Sequence, residues 1–173
     1  QIKISTYDAI LPQLKTCERC ELHKLTVVNR VAGVGNILRP IVMFIGKAPK
    51  ADITTPPKEK ILPFSGEAGQ IIEGITTKVL MLKMNEIYIT NLIKCALPED
   101  KNLVKKILES CKSYLLEEIE KLQPLCICTM GNEPTRALLE NQISGKINIT
   151  EIHGNVYKFN NIPVLPTLNP SAF

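Results

Sequence analysis

Four cysteines constrain this chain more than any other feature. Cys17 and Cys20 are separated by two residues, while Cys95 and Cys111 lie far down the chain with fifteen residues between them. Neither a signal-peptide pattern nor an apolar run long enough to span a bilayer is evident, so the expectation is an intracellular chain whose thiols stay reduced. Thiolates gathered under those conditions are metal ligands more often than disulfides. An all-thiolate set suits zinc or an iron–sulfur cluster, and spacing alone does not choose between them. The plain alternative is four unrelated buried thiols, because free cysteine is a common core residue.

A single domain of 173 residues can bury a substantial core without disulfides, and 45% apolar residues is ordinary for a globular fold. The net charge of +4 comes from 17 lysines and four arginines against 17 acids. So mild an excess permits a nucleic-acid partner without requiring one. With no tryptophan, a large aromatic stacking platform is disfavoured.

Apolar runs alternate with helix-period segments, the signature of an α/β layered fold. Residues Ile41 to Ile45 read as a buried strand opening at Gly46, followed by a loop rich in proline and lysine from Pro49 to Pro63. Ile71, Ile72, Ile75, Val79 and Leu82 then fall at helical spacing. A second strand is expected over Ile87 to Ile93. A helix follows from about Leu103 to Leu122, with Leu103, Ile107, Tyr114, Leu115 and Ile119 on its inner stripe. Cys111 shares that stripe and so can face Cys95 at the end of the strand. Leu125 to Met130 reads as a third strand, with Cys126 and Cys128 two apart on one face and assigned to packing. After a short helix ending near Asn141, Ile147 to Phe159 suggests a hairpin and Ile162 to Leu165 a last core strand.

Chemistry-bearing segments occur in a definite order. Cys17-Glu18-Arg19-Cys20 is followed by Val31-Ala32-Gly33-Val34-Gly35 and Met43-Phe44-Ile45-Gly46-Lys47-Ala48-Pro49. Then come Pro63-Phe64-Ser65-Gly66-Glu67-Ala68-Gly69, Tyr88-Ile89-Thr90-Asn91-Leu92-Ile93-Lys94-Cys95, Cys111, and Pro166-Thr167-Leu168-Asn169-Pro170-Ser171. In this order the chain resembles the family 4 uracil-DNA glycosylases, which carry a 4Fe–4S cluster, and the resemblance runs from Cys17 to Ser171. It implies a three-layer αβα sandwich around a central, mainly parallel four-stranded sheet, in one domain over residues 1–173. It also implies that Cys17, Cys20, Cys95 and Cys111 hold a structural 4Fe–4S cluster. In such a family a uracil flipped out of DNA enters a pocket at the strand ends. By position, Phe64 would stack on the base, Asn91 would read its polar edge, and backbone around Lys47 and Ala48 would line the pocket near the sugar. The family's minor-groove loop and closing helix would follow the terminal motif, where only Ala172 and Phe173 remain, so the ends look trimmed.

The catalytic positions depart from that pattern. Family members usually carry an acid directly after the motif glycine, where Lys47 stands here. A second acid corresponds to Ile53, the histidine of the terminal His-Pro-Ser becomes Asn169, and the basic residue before the hairpin glycine is His153. Cleaving an N-glycosidic bond builds positive charge on the sugar and negative charge on the departing base. A lysine beside the sugar opposes the first, and an asparagine stabilises the second less well than a histidine. With Lys47 and Asn169 at the catalytic positions, the expectation is a base-excision repair protein of reduced or altered activity. The related mismatch-specific glycosylases share the Asn-Pro-Ser but have an asparagine in the first motif, which is missing here. The alternatives are an inactive module that binds nucleic acid or a protein partner, and a zinc-bound structural domain. Lys47 could also attack the anomeric carbon as a Schiff-base nucleophile if neighbouring charge such as Lys50 and burial lowered its pKa; the simpler role is contact with solvent or a phosphate. Uracil-containing or single-stranded DNA is the expected partner of a monomeric, membrane-free protein.

Overall fold

A computed structural model describes residues 11–24, 30–50 and 62–172. Its centre is four parallel strands in the order β3, β2, β4, β6: Ile87–Asn91, Val42–Gly46, Cys126–Met130 and Ile162–Thr167. Every residue of β2 and β3 is buried, as expected of parallel strands covered on both faces. Two short strands widen the expected four-stranded sheet to six. β1 (Val34–Gly35) pairs antiparallel with β3, and β5 (Tyr157–Phe159) pairs antiparallel with β6.

Strand alternation divides the core into two layers. Met43, Ile45, Tyr88 and Ile127 pack under the long helix α2 (Lys101–Leu122) together with Ile107, Tyr114, Leu115 and Ile119. Val42, Phe44, Ile87, Ile89 and Met130 pack on the other side with Ile72 of helix α1 (Glu67–Gly74). α2 begins where the Asp100 carboxylate accepts the N–H groups of Asn102 and Leu103 at 2.8 and 3.2 Å, a cap worth about 1 kcal/mol. It ends at Gln123, whose φ of 46° closes the helix in the left-handed region.

Two expectations change. The segment from Ile71 to Leu82 is helical only through α1 and one wide turn, Ile75–Val79, in which the Leu80 N–H reaches the Ile75 carbonyl. Val79 is 72% exposed there, because the wider turn rotates it off the inner stripe. The hairpin expected over Ile147 to Phe159 is instead a short helix, α4 (Ile149–Ile152), followed by the hairpin β5–β6. Asn148 caps α4 by accepting the Thr150 N–H. Asn160 and Asn161, with φ of 47° and 65°, supply the two left-handed residues that a tight two-residue hairpin turn requires. Helix α3 (Asn132–Leu139) starts immediately after β4, at Gly131.

Candidate active site and cysteine centre

All four parallel strands end on one side of the sheet, the side where open α/β sheets bind ligands. A cavity of about 440 Å³ lies there, and Lys47, Ala48, Phe64 and Asn169 all line it. Asn91, the fifth residue picked out in the sequence for this site, sits at the end of β3 facing Gly46 in register. A methyl group on Gly46 would lie 2.6 Å from Asn91 Oδ1 and would overlap the Phe64 ring, so the glycine is what lets ring and amide converge. Phe64 is held at φ 56°, a left-handed conformation costing roughly 1–2 kcal/mol for a residue with a side chain and most often retained at functional sites.

Asn91 is 2% exposed, and among the described residues neither Oδ1 nor Nδ2 has a hydrogen-bond partner. Leaving a buried polar group unpaired costs about 1–3 kcal/mol. The amide carries one acceptor and two donor hydrogens, so a ligand edge with complementary groups would relieve that cost. Asn169 is oriented differently: its Oδ1 accepts the Ser171 N–H at 3.0 Å, which leaves its Nδ2 hydrogens as the donors on offer.

Lys47 is partly exposed and already has an anionic partner. Its Nζ donates to Glu133 Oε1 at 2.7 Å, linking the end of β2 to the start of α3. Burial pushes the Glu133 carboxyl up, but the Lys47 hydrogen bond, the Glu133 backbone N–H and the charges of Lys47 and Arg136 outweigh it and hold the group below its ordinary range. Any attack by the Lys47 amine on a sugar would have to break this pair. The counterpart of the family's second acid, Ile53, lies outside the described residues. His153 lines a separate apolar groove, of about 500 Å³, together with Cys126 and Cys128.

The thiols of Cys17, Cys20, Cys95 and Cys111 come from three segments but share one neighbourhood. Cys95 is pushed up to about 12, first by burial and then by the thiolates of Cys111, Cys20 and Cys17. Burial likewise raises Cys20 and Cys111, with Cys17 a further contributor to each. Arg30 bridges the group: it pairs with Cys95 through the backbone, its Nη2 donates to the Cys17 carbonyl at 3.0 Å, and its buried Nε has no partner. Arg19 stacks 4.0 Å over the Tyr114 ring of α2, docking the N-terminal segment. Among the described residues, no group of three or more His, Cys, Asp or Glu is gathered tightly enough to hold a single metal ion. Burial and mutual repulsion keep Cys20, Cys95 and Cys111 as protonated thiols, and the Arg30 Nε–H, unpartnered among the described residues, is a donor suited to an anionic sulfur beside it. Cys126 and Cys128 stand apart from this group; burial, with Cys126 as a lesser cause, raises Cys128 to about 12, and both pack against the α1 layer.

Residues 32–173 match the Uracil DNA glycosylase superfamily. The chain belongs to that superfamily. It is 31% identical over 169 residues to the Type-4 uracil-DNA glycosylase of Saccharolobus solfataricus, covering 95% of this chain and 76% of the relative. The Type-4 enzyme of Archaeoglobus fulgidus is 29% identical over 173 residues, 98% of this chain and 83% of the relative. That of Thermotoga maritima is 28% identical over 165 residues, covering 95% and 81%.

Within this superfamily member, sequence reasoning missed three charged residues near the site. Glu133 gave little signal, since a glutamate in a first helical turn is ordinary. Glu118 was more legible: it lies on the inner stripe of α2 seven residues after Cys111, where an acid needs a partner. That partner is Lys94, quoted in a motif but given no role.

The Lys47–Glu133 pair makes a pH prediction. Because the folded state depresses the Glu133 carboxyl, its contribution to stability is full above the ordinary value of 4.5 and fades as pH falls through the lower folded value. Lys47 is 37% exposed, so solvent screening limits the pair to about 1 kcal/mol or less. Urea melts of the wild type and Glu133→Gln should differ slightly at pH 7 and converge as the pH falls below the ordinary carboxylate range; a gap that widens in acid would refute the assignment.

Proposed function

We propose that this chain takes a base flipped from DNA into the strand-end cavity and reads it with Phe64 and Asn91, while cleaving the N-glycosidic bond far less well than its relatives do. The observation that carries this is the buried Asn91 amide, unpartnered on both polar atoms beside the Phe64 ring. Uracil offers a ring N–H donor flanked by carbonyl acceptors, and a side-chain amide can pair with both kinds of group. Flipping costs a few kcal/mol, which stacking and pairing inside the cavity would offset.

Cys17, Cys20, Cys95 and Cys111 would hold a 4Fe–4S cluster, as the likeness to the Type-4 relatives suggests. Its contribution when bound is structural: it ties the N-terminal segment to β3 and α2 and takes no part in breaking the base–sugar bond. The cavity side chains do that work. Of the lining residues, Phe64 stacks, Asn169 Nδ2 donates toward negative charge building on the leaving base, and Lys47 meets the sugar with an ammonium already paired to Glu133. Asn91, buried beside the Phe64 ring and not itself a lining residue, would orient the base from behind it. No carboxylate on β2 stands ready to stabilise positive charge on the sugar. This arrangement favours a second reading as well, a module that binds damaged or single-stranded DNA without turning it over.

Both readings predict salt-sensitive binding of single-stranded or uracil-containing DNA. Phe64→Ala should weaken it about tenfold or more, in line with the roughly 1–3 kcal/mol of a base–aromatic stack. Asn91→Ala should abolish the preference for uracil over cytosine, whose polar edge carries the opposite donor and acceptor pattern. Fluorescence anisotropy with matched oligonucleotides makes the measurement, and affinities untouched by both changes would place the DNA contact elsewhere.

A further inference from the structure

We propose that Lys94 is a positioning residue for base recognition: its buried ammonium, neutralised by Glu118, fixes the end of β3 so that the Asn91 amide stays unpartnered for a ligand. Lys94 and Glu118 are both fully buried. Lys94 Nζ donates to Glu118 Oε2 at 2.6 Å, to the Asn91 backbone carbonyl at 2.6 Å and to Thr90 Oγ1 at 2.7 Å. An ammonium has three donors, and all three are committed. The Glu118 oxygens accept in turn from Tyr88 Oη at 3.0 Å and from the Thr90 hydroxyl.

The network is therefore closed. It lies on the face of β3 that carries Tyr88 and Thr90, opposite the face that carries Asn91. Its one link to Asn91 is through the backbone, and it offers the side chain no competing donor or acceptor. The Lys94 carbonyl also accepts the Val31 N–H at 2.6 Å, so the segment is held on both sides. A bare core lysine would serve no packing purpose, since charged groups are rarely buried unless paired. Here the charge restrains the backbone of the residue proposed to read the base.

The inference rests on Asn91 reading the base, and its test separates the two. Lys94→Met with Glu118→Leu removes the clamp and leaves no lone buried charge, a change that cores often tolerate. The readout is the ratio of dissociation constants for cytosine-containing and uracil-containing oligonucleotides of otherwise identical sequence, alongside iron content and thermal melting. In the folded double variant this ratio should fall at least tenfold while affinity for the cytosine strand holds. A folded double variant with an unchanged ratio overturns the role of Lys94. Should that protein not fold, Thr90→Val, which removes one Lys94 partner and keeps the charges paired, should lower the ratio about threefold; no change overturns the proposal. A wild-type ratio of one would remove the base-reading function itself, and the positioning role with it.

Discussion

Lys47→Glu combined with Asn169→His is expected to raise uracil excision by about four orders of magnitude. A positioned acid or base typically contributes 10²- to 10⁴-fold, and a donor to developing negative charge about 10²- to 10³-fold. Both groups act on one transition state, so the pair should exceed either change alone. Glu133 adds a condition. It lies 2.7 Å from the Lys47 ammonium, and a glutamate introduced at position 47 would face it as a like charge, which raises one carboxyl pKa and undoes the intended anion. Adding Glu133→Gln should therefore release the full gain. Single-turnover cleavage of a uracil-containing oligonucleotide measures all five proteins; an unaltered chain that matches an ordinary relative would show that Lys47 and Asn169 do not limit the chemistry.

Cys111→Ser is expected to strip the cluster and destabilise the protein by about 3 kcal/mol or more, the scale of losing a cross-link that closes a long loop. Cys111 faces inward from α2 while Cys17 and Cys20 lie in the N-terminal segment, so its loss undocks two distant stretches together. Iron and acid-labile sulfide should appear in equal amounts in the anaerobically purified wild type and vanish from the variant, with a matching drop in melting temperature. Cys126→Ser should leave both quantities unchanged. One zinc per chain with no iron would reject the cluster.

Much of this was legible beforehand because it depends on local pattern. The continuous apolar runs at β2, β3 and β4, the stripe on α2 and the inward placement of Cys111 follow from residue periodicity. The strand-end glycine and the Phe64 segment could be placed because each lies next to a recognisable run. The two errors also have local causes: a two-asparagine turn at Asn160 and Asn161 was passed over, and one wide turn took Val79 off its stripe.

Periodicity and composition by themselves determined the main buried stripes, the alternation of strands and helices and the grouping of the four cysteines, while the resemblance to the family 4 glycosylases nominated Lys47, Phe64, Asn91 and Asn169. Tertiary structure decided their partners. That Lys47 is tied to Glu133 and Lys94 neutralised by Glu118 are facts about contacts between residues 86 and 24 positions apart, and the Asn91 amide is left unpartnered among the described residues. Burial is set by the pattern along each element, because the hydrophobic effect is non-directional. Hydrogen bonds and ion pairs are short-ranged and directional, so only the packing of β2 and β3 against α2 and α3 could determine which charges meet and which amide waits.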